Sequence, residues 1–99
     1  MDDRVDCRTP TPGRSGVTRI PRWKYDRLRA AILGLVRAAG PDGVTFGALP
    51  DAVRDKLSPE ELSRLGSVTW HVTTVKLDLE VTGEIERVPG ATPQRLKMP

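Results

Sequence analysis

The sequence predicts a small, mainly α-helical domain that ends in a β-hairpin. Three observations support this prediction: an apolar stripe at helical spacing in residues 21–39, a second helical segment that stops at Gly83, and a strand, turn and strand pattern over residues 84–98. The chain has 99 residues, of which 37% are apolar. This content is enough for one modest core and leaves no room for a second domain.

The N-terminal segment, residues 1–19, is rich in Thr, Pro, Gly, Ser and Arg and almost free of large apolar side chains. Such a segment buries too little surface to offset the entropy lost on ordering. We therefore expect a flexible basic arm followed by a folded domain over residues 20–99. The net charge of +3 comes entirely from residues 1–24, which carry six Arg or Lys and three Asp. The arm is either a phosphate-binding or minor-groove element or a solubilising tail.

The first helix is predicted from Pro21, which suits the first helical position, to about Ala39, where Gly40 and Pro41 end it. Its apolar side chains form a single helical stripe, which predicts the core face. The stripe consists of Tyr25, Leu28, Ile32, Leu35, Val36 and Ala39.

Three short elements are predicted in the middle of the chain. Residues 44–46 predict a strand of two or three residues that pairs with the C-terminal hairpin, and residues 48–57 predict a second helix. Residues 58–61, SPEE, form a capping box with Pro at the first helical position. They predict a short additional helix over residues 59–64, ended by Gly66.

The third main helix is predicted to be capped by Ser67 and to continue to Thr82. At about 100° per residue, its core face consists of Val68, Val72, Val75 and Leu79. The opposite face consists of Trp70, Thr73, Thr74, Leu77 and Val81. Gly83 then reverses the chain into the hairpin, with strands expected near residues 84–88 and 94–98.

This order of elements predicts a winged helix-turn-helix domain with three main helices and a two- or three-stranded wing. In that fold the third helix enters the major groove of DNA and the wing contacts the backbone. One departure is the connection over residues 58–66, which is longer than the usual three or four residues.

Three segments carry a closer resemblance: WKYDRLRAAIL at residues 23–33, VTTVKLDLEVTGEIERVPG at 72–90, and PQRLKM at 93–98. Over about residues 17–98 the chain resembles a family of short uncharacterised bacterial proteins, a domain of unknown function with a winged helix-turn-helix fold. The resemblance implies this fold and raises DNA binding as an expectation. It supplies no catalytic residues.

The first functional hypothesis is a transcriptional or chromosome-associated factor that binds double-stranded DNA weakly and in a salt-sensitive way. The predicted groove residues are Thr69, Thr73, Thr74 and Lys76, and the predicted wing residues are Arg87, Arg95 and Lys97. Base edges are read through hydrogen bonds, and on the outer face of the helix the threonines are the side chains that suit this role.

The alternative is a protein-interaction or dimerisation module of the same fold that does not bind DNA. Trp70, Leu77 and Val81 form one apolar ridge, and contiguous exposed apolar patches usually mark interaction sites. We expect the ridge to be covered by the segment around Ile20 and Trp23, by a second copy or by a partner.

No pattern in the sequence indicates an enzyme, a metal site, a cofactor or a small-molecule ligand. His71 has no partner at metal-ligand spacing, Ser67 has no base near it in the pattern, and Cys7 has no second cysteine. Asp78 and Glu80 point about 160° apart on a helix, which argues against a paired-carboxylate site. No apolar run is long enough to span a bilayer and no signal peptide is recognisable, so we expect a cytoplasmic protein.

Overall fold

The computed structural model of the protein describes residues 3–9 and 17–99. Within them the protein is mainly helical, with four α-helices and two small antiparallel sheets. The helices are α1 (Arg22–Ala39), α2 (Leu49–Arg54), α3 (Pro59–Leu65) and α4 (Val68–Thr82). The strands are β1 (Arg4–Cys7), β2 (Thr18–Pro21), β3 (Val44–Thr45), β4 (Glu86–Arg87) and β5 (Arg95–Lys97). None of the helices in these residues is both long and apolar enough to cross a membrane.

The helix boundaries follow from local capping. The Ser58 hydroxyl accepts a hydrogen bond from the Glu61 amide at 3.1 Å, and the Glu61 carboxylate accepts one from the Ser58 amide at 2.9 Å, so the predicted capping box of α3 is confirmed. The Ser67 hydroxyl accepts from the Trp70 amide at the start of α4. Gly83 ends α4 in the left-handed region at φ +80°, as predicted.

The second predicted helix is shorter than expected at both ends. Residues 46–48 form a 3₁₀ turn, and α2 ends at Arg54 instead of residue 57. The chain then tightens, because the amides of Lys56 and Leu57 donate to the carbonyls of Val53 and Arg54, three residues earlier. This turn still directs Leu57 into the core, where it is buried.

The C-terminal sheet has the strand order β3-β5-β4. Val44 and Arg87 both lie opposite Leu96, on the two sides of β5, so the predicted pairing of the short middle strand with the hairpin is confirmed. Gly43 is required where β3 begins. Its φ is +77°, and a Cβ atom there would lie 2.7 Å from the Leu96 carbonyl oxygen.

The N-terminal sheet corrects the expected arm. Strand β1 pairs antiparallel with β2 in the register Val5 to Ile20 and Cys7 to Thr18, so residues 4–7 and 18–19 of the expected arm belong to a two-stranded sheet. Val5 and Cys7 lie two residues apart and so share one face of the strand. Cys7 and Ile20 are buried and Val5 packs against the core. Residues 3, 8, 9 and 17 of the predicted arm have no regular secondary structure, and its residues 1–2 and 10–16 lie outside the described residues.

The core lies between α1 and α4 and is closed by α2 and both sheets. The predicted α4 stripe is confirmed, since Val68, Val72, Val75 and Leu79 are all buried. In α1 the centre of the predicted stripe, Leu28, Ile32 and Val36, is fully buried, and Tyr25 and Leu35 pack at its margin. Leu49, Val53, Ile85 and Leu96 complete the core.

Candidate interaction surface

The outer face of α4 is only partly exposed. Trp70 is 49% exposed and Val81 36% exposed, while Leu77 between them is half-buried. A cleft separates the middle of this face from the N-terminal hairpin and is lined by Cys7, Arg8, Thr9, Val17, Thr18, Thr74 and Leu77. Residues 7–9 and 17–18 therefore lie across a cleft from the middle of the apolar ridge, and Trp70 is open.

Asp78 fastens the hairpin to α4. Its side chain is 4% exposed; Oδ1 accepts a hydrogen bond from the Arg8 amide at 2.9 Å and Oδ2 accepts one from the Tyr25 hydroxyl at 2.8 Å. Burial, followed by the hydrogen bond to Asp78, raises the pKa of Tyr25. One carboxylate thus joins three elements: the chain after β1, α1 and α4.

Lys76, which is predicted to contact a DNA groove, lies inside the fold. Its side chain is 2% exposed, its Nζ lies 2.8 Å from Glu80 Oε2 and 4.4 Å from the centre of the Phe46 ring. Burial lowers the pKa of Lys76, and the nearby Glu80 carboxylate partly opposes this effect. Phe46 from the 3₁₀ turn and Glu80 from the next turn of α4 enclose the ammonium. It has no open path to a phosphate.

The three predicted wing cations are engaged within the protein. Arg87 forms an ion pair with Glu80, Lys97 pairs with Glu86 across the sheet, and Arg95 donates to the carbonyl of Asp42. The predicted groove threonines differ in exposure. Thr69 is exposed, whereas Thr73 and Thr74 are partly buried and the Thr74 hydroxyl donates to the Trp70 carbonyl. The structure thus does not assemble the seven predicted nucleic-acid residues into one open, unpaired basic surface.

A second indole lies on the surface at the start of α1. Trp23 is 38% exposed. Two cations face its ring: the Arg64 guanidinium carbon lies 5.3 Å and the Lys24 ammonium 5.8 Å from its centroid. The Lys24 ammonium also donates to the carbonyl of Leu65 at 3.1 Å, which ties α1 to the end of α3.

His71 contacts Trp70 and lies within electrostatic reach of Lys24. The Trp70 and His71 rings meet edge to face with centroids 4.8 Å apart, and His71 Nδ1 lies 2.7 Å from the Ser67 carbonyl oxygen. Burial lowers the pKa of His71, and the charge of nearby Lys24 lowers it further. We call this group the tryptophan surface. It consists of Trp23, Lys24, Arg64, Trp70 and His71.

The sequence names Trp70 as part of an exposed ridge and Trp23 only as part of a segment that could cover it, and it does not indicate that Lys24 and Arg64 lie against Trp23. Residues 24 and 64 are 40 positions apart in the chain, and only the packing of α1 against α3 brings them together. The available signal was compositional: the chain has two tryptophans, and neither belongs to a predicted core stripe.

A protein-family model described as a family of unknown function, DUF6958, matches residues 4–96. No curated protein matches the chain. No solved structure matches it either. In the part of the chain that the structure describes, no group of three or more His, Cys, Asp or Glu side chains is placed to hold a metal ion.

Proposed function

We propose that this chain, which belongs to the DUF6958 family of unknown function, is a winged-helix-type module that binds a protein partner through the tryptophan surface. The observation that carries the proposal is the exposure of both tryptophans, 38% for Trp23 and 49% for Trp70, in a small protein whose other large apolar side chains are mostly buried. Trp and Arg are the side chains most enriched at the energetic centres of protein interfaces.

The winged-helix assignment is supported by element order. Helix α1, strand β3, helices α2 and α4, and the β4-β5 hairpin follow one another as in that fold, with β3 as a third strand of the wing. Two features are additions to this plan. Helix α3 fills the long connection before α4, and the N-terminal hairpin packs on the helix that would enter a groove.

The apolar area of the two indoles that is exposed to water would favour association when a partner covers it. An indole buries on the order of 200 Å² when fully covered, so at exposures of 38% and 49% about 80 Å² remains available on Trp23 and about 100 Å² on Trp70. At about 25 cal/mol per Å², covering both would contribute about 4 kcal/mol to association before the entropy cost of binding. The two indoles can therefore form the centre of an interface, and the surrounding surface must supply the rest of the roughly 800 Å² that each partner buries in a specific complex.

The test is affinity capture from a cytosolic extract of the source organism with the full chain immobilised, with and without nuclease treatment. We expect nuclease-resistant protein partners that are lost with Trp70→Ala and Trp23→Ala. Val17→Ala is the control, because it removes an exposed apolar side chain that lies outside both the tryptophan surface and the apolar ridge of α4. Equal capture by the wild type and both tryptophan variants would contradict the proposal.

Double-stranded DNA is the second candidate ligand, and the exposure of Thr69 on the outer face of the first turn of α4 favours it. In this case the protein would be a transcriptional or chromosome-associated factor. Phosphate contacts release counterions, so DNA binding would weaken steeply as salt rises. Partners that disappear on nuclease treatment, together with unchanged capture by Trp23→Ala, would favour this candidate over a protein partner.

A further inference from the structure

We infer that the partner of the tryptophan surface is an acidic peptide segment whose carboxylates bind Lys24 and Arg64 and whose apolar or aromatic side chains cover Trp23 and Trp70. This inference rests on the proposed function and adds the chemistry of the partner.

Most cationic side chains of the protein are already paired. Within residues 3–9 and 17–99, ion pairs with carboxylates involve Arg8, Arg19, Arg22, Arg27, Arg29, Arg54, Lys76, Arg87 and Lys97. Lys24 and Arg64, like Arg37, Lys56 and Arg95, form no ion pair with a carboxylate in the same described residues, and they differ from these three because both lie against an exposed indole. Their contacts are the face of Trp23 and, for Lys24, the Leu65 carbonyl.

A cation held over an indole keeps hydrogen-bond donors free. Arg64 carries five N–H donors and Lys24 three, of which the Leu65 carbonyl uses one. The ring contacts also limit where each side chain can move, which reduces the ordering cost of binding a carboxylate. The surface therefore has two positioned, unpaired cations at the Trp23 ring, and a second exposed indole, Trp70, that contacts His71, whose pKa the charge of Lys24 lowers.

Acidic side chains around the surface restrict the shape of the partner. Glu60 lies four residues before Arg64 on α3 and Asp26 follows Lys24 on α1, and both are exposed. Glu61 is engaged by Arg27 and by the Ser58 amide. A continuous phosphate backbone would meet these acids as well as the cations. A peptide can place its carboxylates at Lys24 and Arg64 alone, so the charge pattern favours a peptide over a nucleic acid.

The contacts of the two indole rings also favour a peptide over a nucleic acid. Single-stranded nucleic acids bind by stacking bases on open aromatic faces. The Trp23 ring is approached by both Arg64 and Lys24, and the Trp70 ring makes an edge-to-face contact with His71. Apolar peptide side chains can pack against the remaining edges, whereas a stacked base would have to displace a cation from Trp23.

The experiment is a selection of displayed random dodecapeptides on the full-length protein, followed by affinity measurements with the selected peptides. We expect selected sequences that combine Asp or Glu with Phe, Leu or Trp. Charge reversal by Lys24→Glu or Arg64→Glu should weaken these peptides by about tenfold or more. Arg37→Glu is the control, since Arg37 is an exposed cation at the opposite end of α1. Circular dichroism of each variant checks that it remains folded.

The outcomes separate the inference from the proposed function. Peptides that require Trp70 but are not acidic, or that bind Lys24→Glu and Arg64→Glu as well as the wild type, would overturn the inference and leave the proposed function standing. A selection that yields no binders would overturn both. Displacement of the peptides by a single-stranded oligonucleotide at lower concentration would overturn both in favour of a nucleic-acid site. Restored binding of a Lys-substituted peptide to Arg64→Glu would confirm the direct charge contact.

Discussion

Lys76 and Glu80 form a charged pair in which both side chains are almost completely buried, 2% and 7% exposed. The cost of burying the ammonium is offset by the carboxylate and by the face of Phe46. Arg87 reaches the same carboxylate from the solvent side. The stability of this site therefore depends on the presence of both partners rather than on the ammonium alone.

The first prediction is that Glu80→Ala destabilises the fold by about 3 kcal/mol, because it leaves a buried ammonium without its carboxylate. The double variant Glu80→Ala/Lys76→Met should recover most of this loss, since methionine fills a similar volume without charge. Urea denaturation of the wild type, both single variants and the double variant measures the effect. A double variant no more stable than Glu80→Ala would show that the unpaired charge is not the cause.

Asp78 is the second buried charged residue, and its partners are distant in sequence: Arg8 at 70 positions and Tyr25 at 53. Asp78→Ala removes the acceptor of two hydrogen bonds and leaves the Arg8 amide and Tyr25 hydroxyl unsatisfied. We expect a loss of about 3 kcal/mol, and about 1 kcal/mol for Tyr25→Phe, which removes one bond. Asp55→Ala, which changes an exposed aspartate, is the control in the same denaturation series. Equal stability of Asp78→Ala and the control would refute the role of Asp78.

At the scale of elements, the parts predicted correctly are those determined by local sequence. The stripe from Leu28 to Val36, the capping box at Ser58 and the glycine at position 83 each act within one or two helical turns. The α1 and α4 boundaries and the pairing of β3 with β5 therefore followed from the sequence.

The N-terminal hairpin could not be predicted in the same way. Ten residues separate β1 from β2, so no short turn motif marks the pairing, and β1 presents only Val5 and Cys7 to the core. Its stability depends on the Asp78 contact with the residue after β1. The burial of Lys76 escaped prediction for the same reason, because Phe46 and Arg87 are not its sequence neighbours.

The third prediction uses Cys7 as a reporter of the hairpin. Burial, followed by the charges of Asp78 and Asp6, raises the pKa of its thiol to about 11. Since the thiolate is the reactive form, native protein at pH 8 should react with a thiol reagent such as DTNB at least about 100-fold more slowly than protein in guanidinium chloride. Asp78→Ala should accelerate the native reaction by releasing the hairpin. Equal rates for native and unfolded protein would show that β1 does not protect Cys7.

At the scale of the whole molecule, paired charges control the response to acid. A hydrogen bond from Arg29 holds the pKa of Glu84 below its ordinary value of 4.5, and hydrogen bonds from Ser58 and Arg27 do the same for Glu61. A carboxyl whose folded-state pKa is depressed stabilises the fold above its unfolded-state pKa, and that contribution is lost as pH falls through the folded-state pKa.

The fourth prediction is that stability falls as the pH drops below about 4.5. Glu84→Gln should be less stable than the wild type at pH 7, and the difference should shrink when the wild-type carboxyl is also protonated. Urea midpoints measured at several pH values between 7 and 3 give the stability of the wild type and its difference from that of Glu84→Gln. Asp51→Asn is a suitable control, since its ion pair with Arg54 is largely exposed and contributes little. If the difference in stability between the wild type and Glu84→Gln stayed constant over this pH range, ionisation of Glu84 would not contribute to the stability of the fold.

The arrangement of ion pairs also sets an upper limit on affinity for duplex DNA. Of the predicted DNA-contacting cations, Lys76 is buried, Arg87 and Lys97 pair with glutamates, and Arg95 binds a backbone carbonyl. Each phosphate contact would have to displace an internal partner, and the chain on either side of the N-terminal hairpin lies across a cleft from the middle of the outer face of α4. Few side chains remain to read bases, so binding should be non-specific and electrostatic.

The fifth prediction is therefore a dissociation constant of about 1 µM or weaker for labelled 20-base-pair duplexes at 0.15 M salt. The constant should differ little between unrelated sequences, and the affinity should fall steeply as salt rises, because phosphate contacts release counterions. Fluorescence anisotropy at several salt concentrations measures all three quantities. Arg95→Ala should weaken binding about as much for every duplex, since a phosphate contact carries no sequence information. Nanomolar binding to one sequence would contradict this prediction. If Arg95→Ala left that affinity unchanged and Thr69→Ala abolished it, α4 would be identified as a base-reading helix.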